Sequence, residues 1–468
     1  MNMSNMSSPV LSHLLCVRGL RAFADGYVSL LLPLYLLALG MQPLQVGVIA
    51  TGTLLGSGVL TLLVGLYAHR FTYRLLLLMA SLLMTGTGFG FAAVTDFWPL
   101  LVIAIVGTLN PSSGDVSVFL PLEHAVLSGL VDERRRTAVF ARYSLIAALA
   151  AAFGALFAGA PDWIVATSGL DRKTSLQAMF ILYGLLGLAS ALIYSTLPQE
   201  FGTGEHKVPA APLQKSKRVV YTLAALFSLD AFGGGFVVQS MIALWLFQKF
   251  QLSTTVAGEI FFWTGVLTAF SYLAANRIAD RFGLVNTMVF THLPSSLFLI
   301  LIPLMPTLSL AIVLLLARSA LSQMDVPTRS SYIMAIVPPG ERAAAASITT
   351  VPRSLASALS PLLAGYLLGL STFGWPLVIA GGLKITYDLL LLGMFRDIRH
   401  QKKAARSARC AFSSVIERRV GRELVASLKQ FANQGINDIN TLIKDHCCFV
   451  GSFYRNFQGI APIKRGDL

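Results

Sequence analysis

The strongest constraint on this chain is a series of apolar segments that recurs to about residue 395 with only short gaps. Each is long enough, at about 20 residues of helix, to cross the hydrocarbon core of a bilayer. Soluble cores are not built from such repeated units. Composition agrees: of 468 residues, 55% are hydrophobic and 12% charged, whereas soluble domains carry roughly 25% charged residues. Mean hydropathy is +0.69. Reading the apolar runs against their breakers predicts spans at 14–39, 44–68, 74–94, 98–127, 137–159 and 176–197, then at 218–247, 253–279, 284–303, 307–334, 343–370 and 373–395. The expected fold class is an all-α membrane protein with twelve transmembrane helices in two six-helix bundles. The first seventeen residues carry no Lys or Arg, so the first segment reads as span 1 rather than a cleaved leader.

Loop charge predicts orientation. Arg70 and Arg74 follow span 2, Arg134, Arg135 and Arg136 follow span 4, and Lys207, Lys215, Lys217 and Arg218 lie in or beside the middle connection. Arg277 and Arg281 follow span 8, and Arg342 follows span 10. The alternate connections hold little beyond Arg172, Lys173 and Lys249. The positive-inside rule then puts both termini and the middle loop in the cytoplasm, for a multi-pass protein expected in a bacterial inner membrane. Net charge is +14. Residues 396–468 hold 14 Lys and Arg against 6 Asp and Glu, a surplus of +8. Anionic headgroups match that surplus better than nucleic acid does. The expected partners are therefore membrane lipids, a small-molecule substrate and protons, with no nucleic acid and a monomeric state.

The sequence repeats internally. Gly114-Asp115-Val116 recurs as Met324-Asp325-Val326, Glu133-Arg134 as Glu341-Arg342, and Arg142 as Arg353. Ala68-His69-Arg70-Phe71 recurs as Ala279-Asp280-Arg281-Phe282. The offset of six spans is even, so the two halves keep one orientation and form a parallel repeat about the membrane normal.

Asn276-Arg277-Ile278-Ala279-Asp280-Arg281-Phe282-Gly283 is similar to the Gly-x-x-x-Asp-Arg-x-Gly-Arg turn of the major facilitator superfamily. The first-half copy keeps Gly65, Arg70 and Arg74, with His69 where the family places Asp. The resemblance covers residues 14 to about 397. It implies a secondary transporter working by alternating access, whose halves rock about a midplane site formed chiefly by spans 1, 4, 7 and 10. It also implies a cytoplasmic gate in which Arg70, Arg74, Asp280 and Arg281 face Glu133, Arg134, Glu341 and Arg342. The domains are expected at 1–197, 198–217 (middle loop), 218–397 and 398–468.

An ionisable side chain at bilayer depth costs roughly 2.5–3.5 kcal/mol on insertion scales, so each one calls for a partner, a wet cavity or a function. The residues expected to bind substrate or proton are Asp25, Asn110, Asp115, Asp230, Gln239, Arg318 and Asp325. Asn110-Pro-Ser-Ser-Gly114 weakens its helix near midplane, which is tolerated where helix lines a cavity. Gly233-Gly234-Gly235 permits a kink or a close approach. Arg318 suits a carboxylate or phosphate, or else serves as counter-ion to Asp115 or Asp230. Glu123 lies nearer the cytoplasm and reads as a gate residue. Spacings of four predict intrahelical pairs of Arg21 with Asp25, Asp325 with Arg329, and Lys384 with Asp388, while Arg18 reaches for the interface. His124 reads as structural.

Cys16, Cys410, Cys447 and Cys448 show neither a disulfide framework nor metal-ligand spacing. No cofactor or metal is expected. No Ser-His pair or metal cluster at membrane depth suggests an enzyme. The rival reading is a non-transporting sensor on the same scaffold, with the basic tail as its signalling element. Deletion of residues 400–468 separates the two, because a transporter core would still move solute.

Overall fold

A computed structural model describes residues 3–67, 70–112, 117–130, 133–198, 216–338 and 341–395. The chain divides into a unit spanning Met1–Arg396 and a second, Asp397–Leu468, which lies outside the described residues together with most of the middle loop. The helices of the first half are α1 (Met3–Ala38), α2 (Pro43–Tyr67), α3 (Tyr73–Ala93), α4 (Phe97–Val106), α5 (Phe119–Leu130), α6 (Glu133–Phe157), α7 (Ala160–Ser168) and α8 (Arg172–Ser195). Those of the second are α9 (Lys217–Gly235), α10 (Gln239–Phe250), α11 (Thr254–Phe282), α12 (Leu284–Leu301), α13 (Leu308–Ser322), α14 (Asp325–Ile336), α15 (Arg342–Leu370) and α16 (Trp375–Phe395). Among the described residues there is no strand. Eight stretches among the described residues are long and apolar enough to cross a membrane. With the broken segments grouped, the order is consistent with twelve crossings.

Three expected spans are split, 98–127 between α4 and α5, 218–247 between α9 and α10 and 307–334 between α13 and α14, and a short helix, α7, follows the end of the fifth. Between α4 and α5, Pro111 lacks an N–H, and Asn110 Oδ1 accepts from Ser112 N at 3.0 Å and from its hydroxyl at 2.7 Å. That local turn competes with helix. Pro161 sits in the first turn of α7, where a missing donor is harmless. Gly233-Gly234-Gly235 closes α9 before α10. Gln323 and Met324 separate α13 from α14.

Side-chain hydrogen bonds fix which helix ends lie together. On the face where α1 begins, here the proximal face, Arg74 Nη2 donates to Ser195 O at 2.5 Å and Ser216 N to Glu341 Oε2 at 3.1 Å. On the distal face Gln177 Nε2 donates to Ala92 O at 2.9 Å, Lys249 Nζ to Pro303 O at 2.6 Å, and Trp245 Nε1 to Thr372 O at 3.2 Å. Apolar side chains such as Leu62, Phe89, Phe153, Leu192, Phe270 and Phe290 face outward, as a lipid-facing surface requires. Exposed Trp98, Trp163 and Trp375 lie near distal helix ends, the depth that amphipathic rings prefer.

The two halves align at their first helices: Arg21-Ala-Phe-Ala-Asp-Gly26-Tyr in α1 against Asp230-Ala-Phe-Gly-Gly-Gly235-Phe in α9. The shared glycine has the same job in both. A Cβ on Gly26 would lie 2.2 Å from Ala151 O in α6, and one on Gly235 would lie 2.2 Å from Ser357 O in α15. Backbone rather than a movable side chain blocks both positions, so only glycine permits these crossings. Gly235→Val is therefore expected to reduce the yield of folded protein, whereas Gly382→Val, facing open space, is not. Size-exclusion profiles of the two variants make the comparison.

The halves meet toward the distal face. There α2 packs on α15 and α6 on α11, with α1 against α10. Gly47 and Gly365 face each other, a Gly47 Cβ falling 2.4 Å from Pro361 O. Thr51 Oγ1 accepts from Leu362 N at 2.9 Å. Asp162 accepts from both the amide and the hydroxyl of Thr255 at 3.1 Å. Among the described residues no hydrogen bond or ion pair joins the halves at the proximal face.

Candidate functional site

Each half carries its own buried charge cluster. In the first, Arg21 Nη2 on α1 pairs with Glu123 Oε2 on α5 at 2.5 Å. The Arg21 and Glu123 side chains are 4% and 0% exposed. Tyr194 on α8 donates to Glu123 Oε1 at 2.5 Å, and Tyr143 on α6 donates to Oε2. The Arg21 guanidinium also stacks on Phe119, 3.8 Å from the ring centroid. Glu123 thus joins four helices of one half. It was expected at the cytoplasmic gate. Instead its carboxylate is saturated inside the bundle, because a buried charge needs a counter-charge and donors there.

In the second half, Asp230 on α9 binds Arg329 Nη2 of α14 at 2.7 Å and Lys384 Nζ of α16 at 2.8 Å. Arg329 also pairs with Asp325. On α12, His292 Nδ1 lies 3.0 Å from Asp388 Oδ2, and its Nε2 lies 3.7 Å from Asp230 Oδ1. Arg329 stacks on Phe227 at 5.0 Å. The sign is inverted between the halves. The first helix of one half contributes the cation and its broken fourth span the anion, and in the other half the roles exchange.

The expected residues sort as follows. Asp325 pairs with Arg329 as its spacing predicted. Arg21 does not pair with Asp25, nor Lys384 with Asp388; both cations reach across to other helices, as a buried charge does when its own helix offers poorer geometry. Arg18 does not reach for the interface but is buried, its guanidinium 4.9 Å from the Tyr143 ring centroid. His124 packs edge-on against Phe140 and Tyr143. Asn110 is occupied in its turn, and Gln239 begins α10 beside Ser240, whose N–H donates to Pro111 O at 3.0 Å. Arg318 is not the counter-ion of Asp230. Neither Arg318 nor Asp25 has a hydrogen bond or ion pair with any described residue, and both keep partial exposure. Asp115 lies outside the described residues, as do the side chains of Glu133, Arg134, Asp280 and Arg342.

The remaining gate residues make contacts within a half. Arg74 ties α3 to α8 and Glu341 ties α15 to the start of α9. Arg70 and Arg281 are exposed and lie 5.5 Å from the rings of Tyr67 and Phe282, their own chain neighbours. His292, Tyr143 and Tyr194 were missed from sequence. His292 left a legible trace, a lone imidazole in an apolar span.

Comparison with known proteins agrees with this architecture. The curated membrane protein YJR124C of Saccharomyces cerevisiae, described as uncharacterised, is 26% identical over 414 residues, covering 81% of this chain and 92% of that protein. The solved nucleoside transporter NupG superposes with a TM-score of 0.63 at 14% identity, covering 84% of this chain and 99% of its own. The E. coli xylose transporter XylE, in a partially occluded inward-open conformation, gives 0.62 at 15% identity, covering 82% and 98%. The model of the Major Facilitator Superfamily matches residues 14–247 and again 223–454. This integral membrane protein therefore belongs to the Major Facilitator Superfamily, a family of transporters rather than enzymes.

Proposed function

We propose that the protein is a secondary transporter that moves a small solute by alternating access, driven by protons. The observation that carries this reading is the pair of repeat-related halves, each holding a buried charge cluster closed by partners of its own half and packed on the other at the glycine crossing of α2 and α15 toward the distal face. Such halves can rock as units without breaking either cluster. Arg70, Arg74, Arg218 and Arg281 near proximal helix ends support placing that face, with both termini, in the cytoplasm. The fit to an inward-open xylose transporter and to a Spinster homologue in an inward-facing conformation supports reading this state as inward-open. A bacterial inner membrane, expected from sequence, has support from these bacterial neighbours, whereas the curated relative is from yeast.

Residues 1–197 and 218–397 act as the two moving halves, 198–217 as their linker and 398–468 as a lipid-associated tail. The protein works as a monomer. Asp25 and Arg318 contact the solute: each is an ionisable group at bilayer depth with no hydrogen bond or ion pair to a described residue, and a solute bearing complementary groups supplies one. Asp115 and Asp25 serve the driving proton.

A thermal-shift screen on purified protein tests the reading, beginning with nucleosides and pentoses because solved neighbours carry nucleosides and xylose. A solute at about 100 times its Kd stabilises by about 2.7 kcal/mol, which raises the melting temperature measurably. Asp25→Asn and Arg318→Gln are expected to weaken that shift, and Asp115→Asn to abolish uptake driven by a pH gradient. A screen without hits, in protein that also moves no solute in proteoliposomes, rejects the transporter reading. Unchanged gradient-driven flux in Asp115→Asn rejects its proton role.

A further inference from the structure

His292 lies on α12 and is 3% exposed. Two carboxylates from different helices flank it. Nδ1 is 3.1 and 3.0 Å from the two oxygens of Asp388 on α16, and Nε2 faces Asp230 Oδ1 on α9 at 3.7 Å. Among the described residues, the groups facing it from the surrounding helices are few. Asp230 comes from α9, Lys384, Tyr387 and Asp388 from α16, and Asp325 and Arg329 from α14, with Arg353 of α15 within electrostatic reach of Arg329 and Asp230. On the other helices packed against α12, Arg318 of α13 and Glu259 and Arg281 of α11 make no hydrogen bond or ion pair with the imidazole.

Three carboxylates in this cluster, Asp230, Asp325 and Asp388, meet two permanent cations in direct contact, Arg329 and Lys384. The imidazole decides the remainder. A neutral imidazole has one N–H, and Asp388 at hydrogen-bond distance directs it to Nδ1, a tautomer assigned from the partner. Nε2 then turns a lone pair toward the Asp230 carboxylate, which repels it. A second proton, on Nε2, reverses the sign of that contact. The imidazolium donates to Asp388 on one side and attracts Asp230 on the other, binding α9, α12 and α16 at one point.

We propose that His292 holds a driving proton in the second half, and that binding and release of this proton tighten and loosen α9. This extends the proton-driven reading above and rests on it. The mechanical route is short. α9 crosses α15 at Gly235, and α15 crosses α2 of the other half at Gly365, so a shift of α9 bears on the interface between the halves. In the first half the groups that hydrogen-bond the Glu123 carboxylate are the hydroxyls of Tyr143 and Tyr194, with Arg21 as its counter-ion.

The test needs no solute. In full-length protein with the four native cysteines replaced by serine, spin labels at Phe71→Cys and Phe282→Cys, both exposed at the proximal face, report the spacing of the halves in nanodiscs. Double electron–electron resonance is expected to show that spacing changing as the pH is lowered and the imidazole takes up its second proton. In His292→Gln the change is lost. In Asp388→Asn, which keeps the imidazole, its midpoint moves, so the test survives if His292→Gln fails to fold. Nitrogen-15 NMR of histidine-labelled protein is expected to show the His292 imidazole titrating over the interval in which the spacing changes. A pH-dependent spacing unchanged in His292→Gln and in Asp388→Asn overturns the proposal and leaves the transporter reading standing. A spacing that ignores pH in the parent protein also overturns it. Only the absence of solute hits and flux carries the transporter reading away as well.

Discussion

Glu123→Ala is expected to destabilise the protein by about 3–5 kcal/mol, the usual range for removing one partner of a buried ion pair. Three consequences act together. Arg21 stays buried without its counter-charge. The Tyr194 hydroxyl loses its 2.5 Å acceptor. So does that of Tyr143, on a third helix. A buried donor left without a partner costs about 1–3 kcal/mol. Glu123→Gln retains an acceptor but not the charge and falls between. Replacing the pair together is a different experiment. Arg21→Leu with Glu123→Leu removes both charges, and the part of the loss that comes from the unpaired Arg21 is expected to return, while the hydroxyls of Tyr143 and Tyr194 stay without their acceptor. Thermal or chemical unfolding in detergent measures all three variants. A loss below about 1 kcal/mol in Glu123→Ala, or a double variant as unstable as the single, refutes the account of this cluster.

Gly47→Leu is expected to open the distal contact. The position sits where α2 and α15 touch, with Pro361 O at 2.4 Å and Gly365 Cα at 3.0 Å from the Cβ that any other residue would add. Helix axes pack about 8–10 Å apart according to the side chains at the contact. A leucine between two backbones already at their closest demands the larger spacing, an increase of about 2 Å. The Thr51–Leu362 hydrogen bond lies one turn away and breaks with it. Labels at Gln42→Cys and Thr372→Cys, on distal turns of the two halves, are expected to move apart. Gly65→Leu, on the same helix but facing open space, is expected to leave the spacing unchanged. Equal spacings in the two variants contradict the role given to this crossing.

The crossings and the parallel repeat were legible because they rest on apolar length and on residue types recurring six spans apart. Two of the breaks were legible too, since Pro111 lacks a backbone donor and the three glycines before Phe236 lower helix propensity wherever they sit. Partner choice was not. A spacing of four places Lys384 beside Asp388 and Arg21 beside Asp25 on one helix, where such pairs are worth only about 0.2–0.5 kcal/mol. Inside a bundle each charge finds the partner that desolvates it with the best geometry, and that partner was on another helix in both cases. Asp325 with Arg329 survived because a second acid, Asp230, joined the pair without displacing the first. His292 escaped notice because one imidazole in an apolar span has no periodicity to reveal it. Its meaning comes from Asp230 and Asp388, on helices distant in sequence.

Two of the buried ion pairs also set a schedule for biogenesis. Arg21 precedes Glu123 by 102 residues, and Asp230 precedes Arg329 by 99. At about 5–20 residues per second of synthesis, roughly 5–20 s pass between a first charge and its partner. During that interval the first helix of each half presents an unmatched charge to its surroundings. The leading helix of each half is therefore expected to stay at the insertion machinery until the fourth arrives, so that the unit released into lipid is most of a half rather than a single helix.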